Sequence, residues 1–248
     1  MEDMDMKDRT MICVACHERK RTAELCLPTL KWAIYTDDLL VCYNDGSTEY
    51  GTHWLRQLAD KAIGNDPAKG IEWQRREHLR DFWASDYDRL YFTDHDCIHD
   101  PGFMHEARRL QDEYGALVCL YNTEAHSRLP GNTIEDDPTK DIIWRRYAPG
   151  VSYLLTRAMV AKIMPHLHTL TAFDWQIPSI LGNRCAISRT SYVDHVGWKG
   201  LRHPMSEGIE GGDRATNPTL HLQFKRAEIV AKLIEHERPA HIVGRDQA

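Results

Sequence analysis

Leu39-Leu40-Val41-Cys42-Tyr43-Asn44-Asp45-Gly46-Ser47 is the stretch on which the fold turns. Five apolar residues run without a polar break and then meet a cluster of turn formers. A strand buried on both faces has that pattern, whereas a half-exposed strand alternates. Upstream, Met11 to Cys16 is a second such run, ending in His17-Glu18-Arg19-Lys20. Between the two runs, Ala23, Cys26, Leu27, Leu30 and Ala33 recur at helical spacing, with Pro28 expected to bend or shorten the helix.

Downstream, Trp54, Leu55, Leu58, Ala62 and Ile63 predict a second helix, and Ile71 to Trp73 a weak strand. Arg89 to Thr93 predicts a strand, Pro101 to Tyr114 a helix with proline near its first turn, and Ala116 to Tyr121 another strand. Asn122 to Lys140 is polar, contains Pro130-Gly131 and Glu135-Asp136-Asp137-Pro138, and reads as a mobile loop. Val151 to Leu155 precedes a helix over Arg157 to Leu167, and Ala186 to Ser191 predicts a last strand. Gly197 to Pro218 reads as irregular and Leu220 to His236 as a C-terminal helix. Alternating strands and helices predict an α/β fold, a mainly parallel central sheet flanked by helices. Ligands of such sheets gather beyond the carboxyl ends of the strands. That directs attention to His17–Arg19, Asn44–Ser47 and Asp94–Asp96.

Composition narrows the function. The 248 residues carry 37 acidic and 31 basic side chains, a net charge of −6, which excludes a disordered polyelectrolyte and a strongly basic nucleic-acid binder. No apolar run approaches the ~20 residues of a membrane span, and Met1 to Thr10 has no apolar signal core. The expectation is a cytoplasmic chain with reduced thiols. Cys13-Val14-Ala15-Cys16-His17 matches a haem-attachment string. It completes an apolar run, however, and reads as strand packing in preference to haem, zinc or a redox pair.

The sharpest chemical feature is Tyr91-Phe92-Thr93-Asp94-His95-Asp96. Two carboxylates at the end of an apolar strand suit a hard cation that shares substrate phosphates; an ordinary polar turn is the alternative on spacing alone. Asn44 to Ser47 is by itself a good turn, in which Asp45 is placed to accept hydrogen bonds from a base or ribose. Asp174, in Ala172-Phe173-Asp174-Trp175, reads either as a helix N-cap or as a general base held partly dry between two aromatics. His195 reads as a satisfied polar residue or as an imidazole partner for the two carboxylates.

In this order the four pieces resemble the GT-A glycosyltransferases, and most closely their large family-2-like group of inverting enzymes, the bacterial and phage type. Ile12 to Arg19 resembles that group's opening strand and nucleotide-contacting loop, which implicates Ala15, His17 and Arg19. Asn44-Asp45-Gly46-Ser47 resembles its Asp-Asp-Gly-Ser turn, with Asn44 in place of the first aspartate. Asp94-His95-Asp96 is similar to its DxD motif, Asp174 stands where its base stands, and Tyr192 to Leu201 resembles its late histidine segment. Phe173 stands where many members carry a second acid.

The resemblance implies a single GT-A (Rossmann-like) domain over 11–215, between a tail at 1–10 and a C-terminal helix and tail at 216–248. Residues 11–121 would form the nucleotide-sugar half and 122–215 the acceptor half. It implies metal-dependent transfer of a sugar from a nucleotide diphosphate, with a UDP-sugar as the expected donor, to an acceptor hydroxyl on a glycan, a protein or a modified nucleobase, with inversion. Asp94, Asp96 and His195 would hold Mn²⁺ or Mg²⁺. Ala15, His17, Arg19, Asn44, Asp45, Arg80, Asp94, His95, Lys199 and His203 would contact the donor, and Asp174 would be the base. A metal-dependent nucleotidyltransferase or phosphohydrolase, and a binding protein with a degenerate site, are the competing readings.

Overall fold

The computed structural model describes residues 8–196 and 214–237. The chain runs β1 Thr10–Cys16, α1 Lys20–Trp32, β2 Leu39–Asp45, α2 Thr52–Leu55, β3 Lys61–Asn65, α3 Ile71–Trp83, β4 Arg89–Asp94 and β5 Cys97–His99. It continues α4 Phe103–Tyr114, β6 Leu117–Cys119, α5 Glu124–Ser127, β7 Thr133–Glu135, β8 Ile142–Arg145 and β9 Ser152–Thr156. Then come α6 Arg157–Ile163, a 3₁₀ segment Met164–Thr169, α7 Phe173–Ile180, β10 Cys185–Ser188, β11 Val193–His195 and α8 Leu220–Glu237.

Among the described residues, nine strands form one sheet in the order β3-β2-β1-β4-β9-β6-β10-β8-β7. The first four are parallel, as the continuous apolar runs require, because both faces of β1 and β2 are covered. β9 runs antiparallel to both β4 and β6, so the second half of the sheet is mixed. Cys13 and Cys16 lie buried within β1, in keeping with strand packing.

Three expectations are corrected. The helix from Trp54 stops at Leu55, and Ala62 and Ile63 instead pair with Cys42 and Tyr43 in the edge strand β3. There, pairing to a neighbour overrides local periodicity. Ile71 to Trp73 is the first turn of α3, whose buried face holds Gln74, Arg75 and His78 beside Leu79 and Phe82. Those polar residues hid the helical stripe. Residues 122–140 include α5 and β7 and are tied down by the buried Arg145, which donates to Asn122 Oδ1 at 2.8 Å and Ser127 Oγ at 2.6 Å.

Two buried histidines make stability depend on pH. His78 is fully buried between the rings of Tyr43 and Phe92, and burial, aided by the Arg75 charge, pushes its pKa well down. Burial lowers His99 to about 3. Above the unfolded value of about 6.5 both are neutral in either state and cost nothing. Below it the unfolded chain takes up protons on these two residues that the folded chain refuses, so their contribution to stability falls as pH falls. Urea titrations at pH 7, 6 and 5 are expected to show stability falling toward pH 5, with a visibly smaller loss in His99→Asn. A flat profile would contradict the burial argument.

Candidate active site

The carboxyl ends of β1, β2 and β4 open into a cavity of about 390 Å³. It is lined by Ala15, His17, Arg19, Asp45, Gln74 and Asp94–Asp96, with part of the 68–71 loop. Buried Gln74 fixes this end of the sheet by donating to the carbonyls of Cys16 and Tyr43, both at 2.8 Å. The loop after β1 is strained: Glu18 and Arg19 have φ of 50° and 54°. The Glu18 carboxylate offsets that strain by accepting from the backbone and hydroxyl of Thr48, at 2.9 and 3.1 Å.

Asp45 is buried at the cavity wall. Its carboxylate accepts from Asn65 Nδ2 at 3.0 Å and from the amides of Lys69 and Gly70, each at 2.6 Å, so it shapes the 66–70 loop. Gly46 makes that approach possible, since a Cβ there would lie 2.6 Å from the Ala68 nitrogen. His17 Nδ1 meets the Asp45 carbonyl at 2.7 Å. Asn44 closes the turn, donating to the Tyr50 carbonyl and accepting from the Ser47 amide. It lines a neighbouring cavity, not this one.

At the other wall, β5 pairs antiparallel with β11, setting His195 opposite Cys97 and next to Asp96. His195 Nε2 lies 3.1 Å from Asp96 Oδ1, while Arg19 donates to Asp96 Oδ2 at 2.7 Å. Burial alone would lower the imidazole's pKa, but the Asp96 carboxylate, with Asp94, raises it to about 9. Burial opposes ionisation of Asp96, yet His195, His95 and Arg19 hold it well below the usual range. α8 braces this corner: Arg226 donates to Asp194 Oδ2 at 2.8 Å and to the His195 carbonyl at 3.0 Å. His95 is buried, with Nδ1 at 3.1 Å from the Ala15 carbonyl and Nε2 without a partner among the described residues.

Arg75, only 4% exposed, links the two acids that matter most. It donates to Asp94 Oδ1 at 2.6 Å, to the Gly150 carbonyl at 3.1 Å and to the Thr93 carbonyl at 3.2 Å. Gly150 in turn touches Asp174, in the first turn of α7; the N-cap is Ala172. Burial raises the pKa of Asp174, with Asp94 adding to it, against Arg75 and the Gly150 amide, which favour the anion. A Cβ on Gly150 would fall 1.9 Å from Asp174 Oδ1. Gly150→Ala is therefore expected to displace the carboxylate and lower turnover by about 10²-fold, as misplacements of ~1 Å do, with the circular dichroism spectrum unchanged. Wild-type turnover in this variant would contradict the placement.

Most of the expected residues thus gather, but not all. Arg80 is half exposed, pairs with Glu77 and does not line the cavity. Lys199 and His203 lie outside the described residues. Arg75 and Arg226 carried no sequence signal of their own: each was one basic residue on a helix, and only the packed fold aims it.

Among the described residues, no three His, Cys, Asp or Glu side chains gather to cage a metal. The facing pair fits a divalent ion nonetheless. A carboxylate and an imidazole are donor types that Mn²⁺ accepts, the ion displacing the proton that His195 carries beside Asp96. Mg²⁺-like ions also take few protein ligands and complete their shell with water and substrate phosphates.

No family model and no curated protein matches the sequence. Solved structures do match. The mannosyltransferase PcManGT from Pyrobaculum calidifontis, in complex with GDP-Man and Mn²⁺, aligns with a TM-score of 0.57 at 13% identity, over 93% of this chain and 65% of that one. S. aureus TarS 1–349 in complex with UDP-GlcNAc gives 0.55 at 14% identity, over 84% and 61%. GalNAc-T7 with UDP, GalNAc and Mn²⁺ gives 0.51 at 12%, over 75% and 43%. Against another structure of S. aureus TarS 1–349, the chain spans 59% of that structure's length. The single α/β domain, with its mixed sheet and flanking helices, has the GT-A glycosyltransferase fold.

Proposed function

We propose that the protein transfers a sugar from a nucleoside-diphosphate donor to an acceptor hydroxyl, with inversion. The observation that carries this is the cavity at the carboxyl ends of β1, β2 and β4, walled by the Asp96–His195 pair and tied through Arg75 and Gly150 to the semi-buried Asp174. The fold shared with structures that hold UDP, UDP-GlcNAc and GDP-Man supports it.

In this reading Ala15, His17 and Asp45 seat the base and ribose. Arg19 brings its guanidinium to the diphosphate, and His95 Nε2 is a hydrogen-bonding atom waiting for a donor oxygen. Asp96 and His195 would hold Mn²⁺ or Mg²⁺, which would supply positive charge to the departing diphosphate, while Asp94, expected as a third ligand, is turned to Arg75. Asp174 takes the acceptor proton as its oxygen attacks the anomeric carbon from the face opposite the diphosphate. That geometry inverts the centre and releases a nucleoside diphosphate, not pyrophosphate or phosphate.

A thermal-shift screen of UDP, GDP and their sugars, with and without Mn²⁺, tests the donor half. A donor at 100 times its Kd stabilises by about 2.7 kcal/mol, which in a chain of this size raises Tm by roughly 5–10 °C. The rise is expected to depend on Mn²⁺, and Asp96→Asn is expected to lose the Mn²⁺-dependent part. No shift with any nucleotide at millimolar concentration would contradict the proposal.

A further inference from the structure

Beside the candidate base the protein exposes an aromatic corner. Trp175 follows Asp174 directly and is 45% exposed. Its ring centroid lies 4.2 Å from that of the half-buried Tyr147, with the planes at 50°. Exposure by itself marks nothing, since Trp32 is 87% exposed; what distinguishes this corner is the paired ring of Tyr147 and the candidate base next in sequence.

This corner is also held rigid. Buried Asn132 clamps the Tyr147 backbone from both sides, accepting from its amide at 2.9 Å and donating to its carbonyl. Gln176 Oε1 accepts from the amides of Thr171 and Ala172, at 2.7 and 3.0 Å, which fixes the start of α7. The Tyr153 hydroxyl donates toward the carbonyls of Ala148 and Asp174, so one side chain joins the two segments that carry the rings. The backbone that carries both aromatics is thus set before a ligand arrives, which lowers the entropic cost of binding.

We infer that Trp175 and Tyr147 form the acceptor platform, and that the acceptor presents an uncharged pyranose ring. The inference rests on the proposed transfer reaction, since it uses the adjacency to Asp174. A chair-shaped sugar offers one apolar face of axial C–H bonds with hydroxyls around its rim. Packed into the angle between the two rings, that face leaves a rim hydroxyl to be turned toward the neighbouring carboxylate. A flat nucleobase stacks best on a ring parallel to it, and these two rings stand at 50°. The acids Asp94 and Asp174, together with the net charge of −6, work against a polyanionic acceptor.

Saturation-transfer NMR on the full chain tests this, with the methyl pyranosides of glucose, galactose and mannose as probes and UDP with Mn²⁺ present. Transfer to the ring C–H protons of at least one pyranoside is expected in the wild type. A loss of tenfold or more is expected in Trp175→Ala and a marked loss in Tyr147→Ala, with recovery in Trp175→Phe. Pyranoside signals equal in wild type and Trp175→Ala would overturn the inference. So would thymidine or adenosine giving a Trp175-dependent signal where the pyranosides give none. Failure of the underlying transfer reading is seen separately, as absent nucleotide binding in the thermal-shift screen while Trp175-dependent pyranoside binding persists.

Discussion

Asp174→Asn is expected to lower sugar transfer by about 10²-fold or more while nucleotide affinity stays within a few-fold. The side chains are isosteric, so the contact with Gly150 survives; only the capacity to accept a proton is lost. A positioned general base contributes about 10²–10⁴-fold, and Phe173 and Trp175 leave Asp174 as the only carboxylate at that turn. Its surroundings suit a general base, because burial raises its pKa while Arg75 and the Gly150 amide limit the rise. A base whose pKa is raised keeps its proton to higher pH than an ordinary aspartate, so the acid limb of the rate profile should be displaced upward from that of a solvated aspartate. Initial rates of nucleoside-diphosphate release, with acceptor present and donor saturating, measure the effect. Activity within threefold of wild type would remove the assignment.

The second large effect is expected at Arg75. This buried guanidinium neutralises Asp94, satisfies the carbonyls of Thr93 and Gly150, and lies 5.3 Å from the ring of Phe92. Arg75→Met keeps much of the volume but leaves Asp94 unpaired and two carbonyls without a donor. Breaking a buried pair from one side costs roughly 3 kcal/mol or more, readable as a lower urea midpoint at constant slope. The variant also removes the charge that favours the Asp174 anion, so the acid limb should move to higher pH. Arg75→Lys restores the charge without the fork and should recover part of the pH profile but less of the stability. An unchanged acid limb in Arg75→Met would separate the two acids and break the proposed link between donor and base.

The fold was legible where burial is continuous. The runs at Met11 to Cys16, Leu39 to Tyr43 and Arg89 to Thr93 became the adjacent parallel strands β1, β2 and β4, because a strand covered on both faces must be apolar throughout. It was illegible where tertiary contacts overrule periodicity. The edge strand β3 carries Lys61, Gly64 and Asn65 and shows no strand pattern until β2 lies beside it. The α3 stripe reads as polar because Gln74 and Arg75 face carbonyl ends and Asp94, leaving Leu79 and Phe82 to the core. In the site, the residues that follow strands could be read in advance, since loops after parallel strands converge. Arg75, Gly150 and Arg226 could not, because their roles depend on a donor fork, a missing Cβ and a distant helix that only the folded chain brings into place.

A crystal structure with a nucleotide sugar and Mn²⁺ bound tests the central claim most directly. The expected result is the diphosphate and the ion at Asp96 and His195, the base between His17 and Asp45, and the anomeric carbon open toward Asp174. Donor density elsewhere on the molecule, with Asp96 still held only by Arg19 and His195, would contradict it.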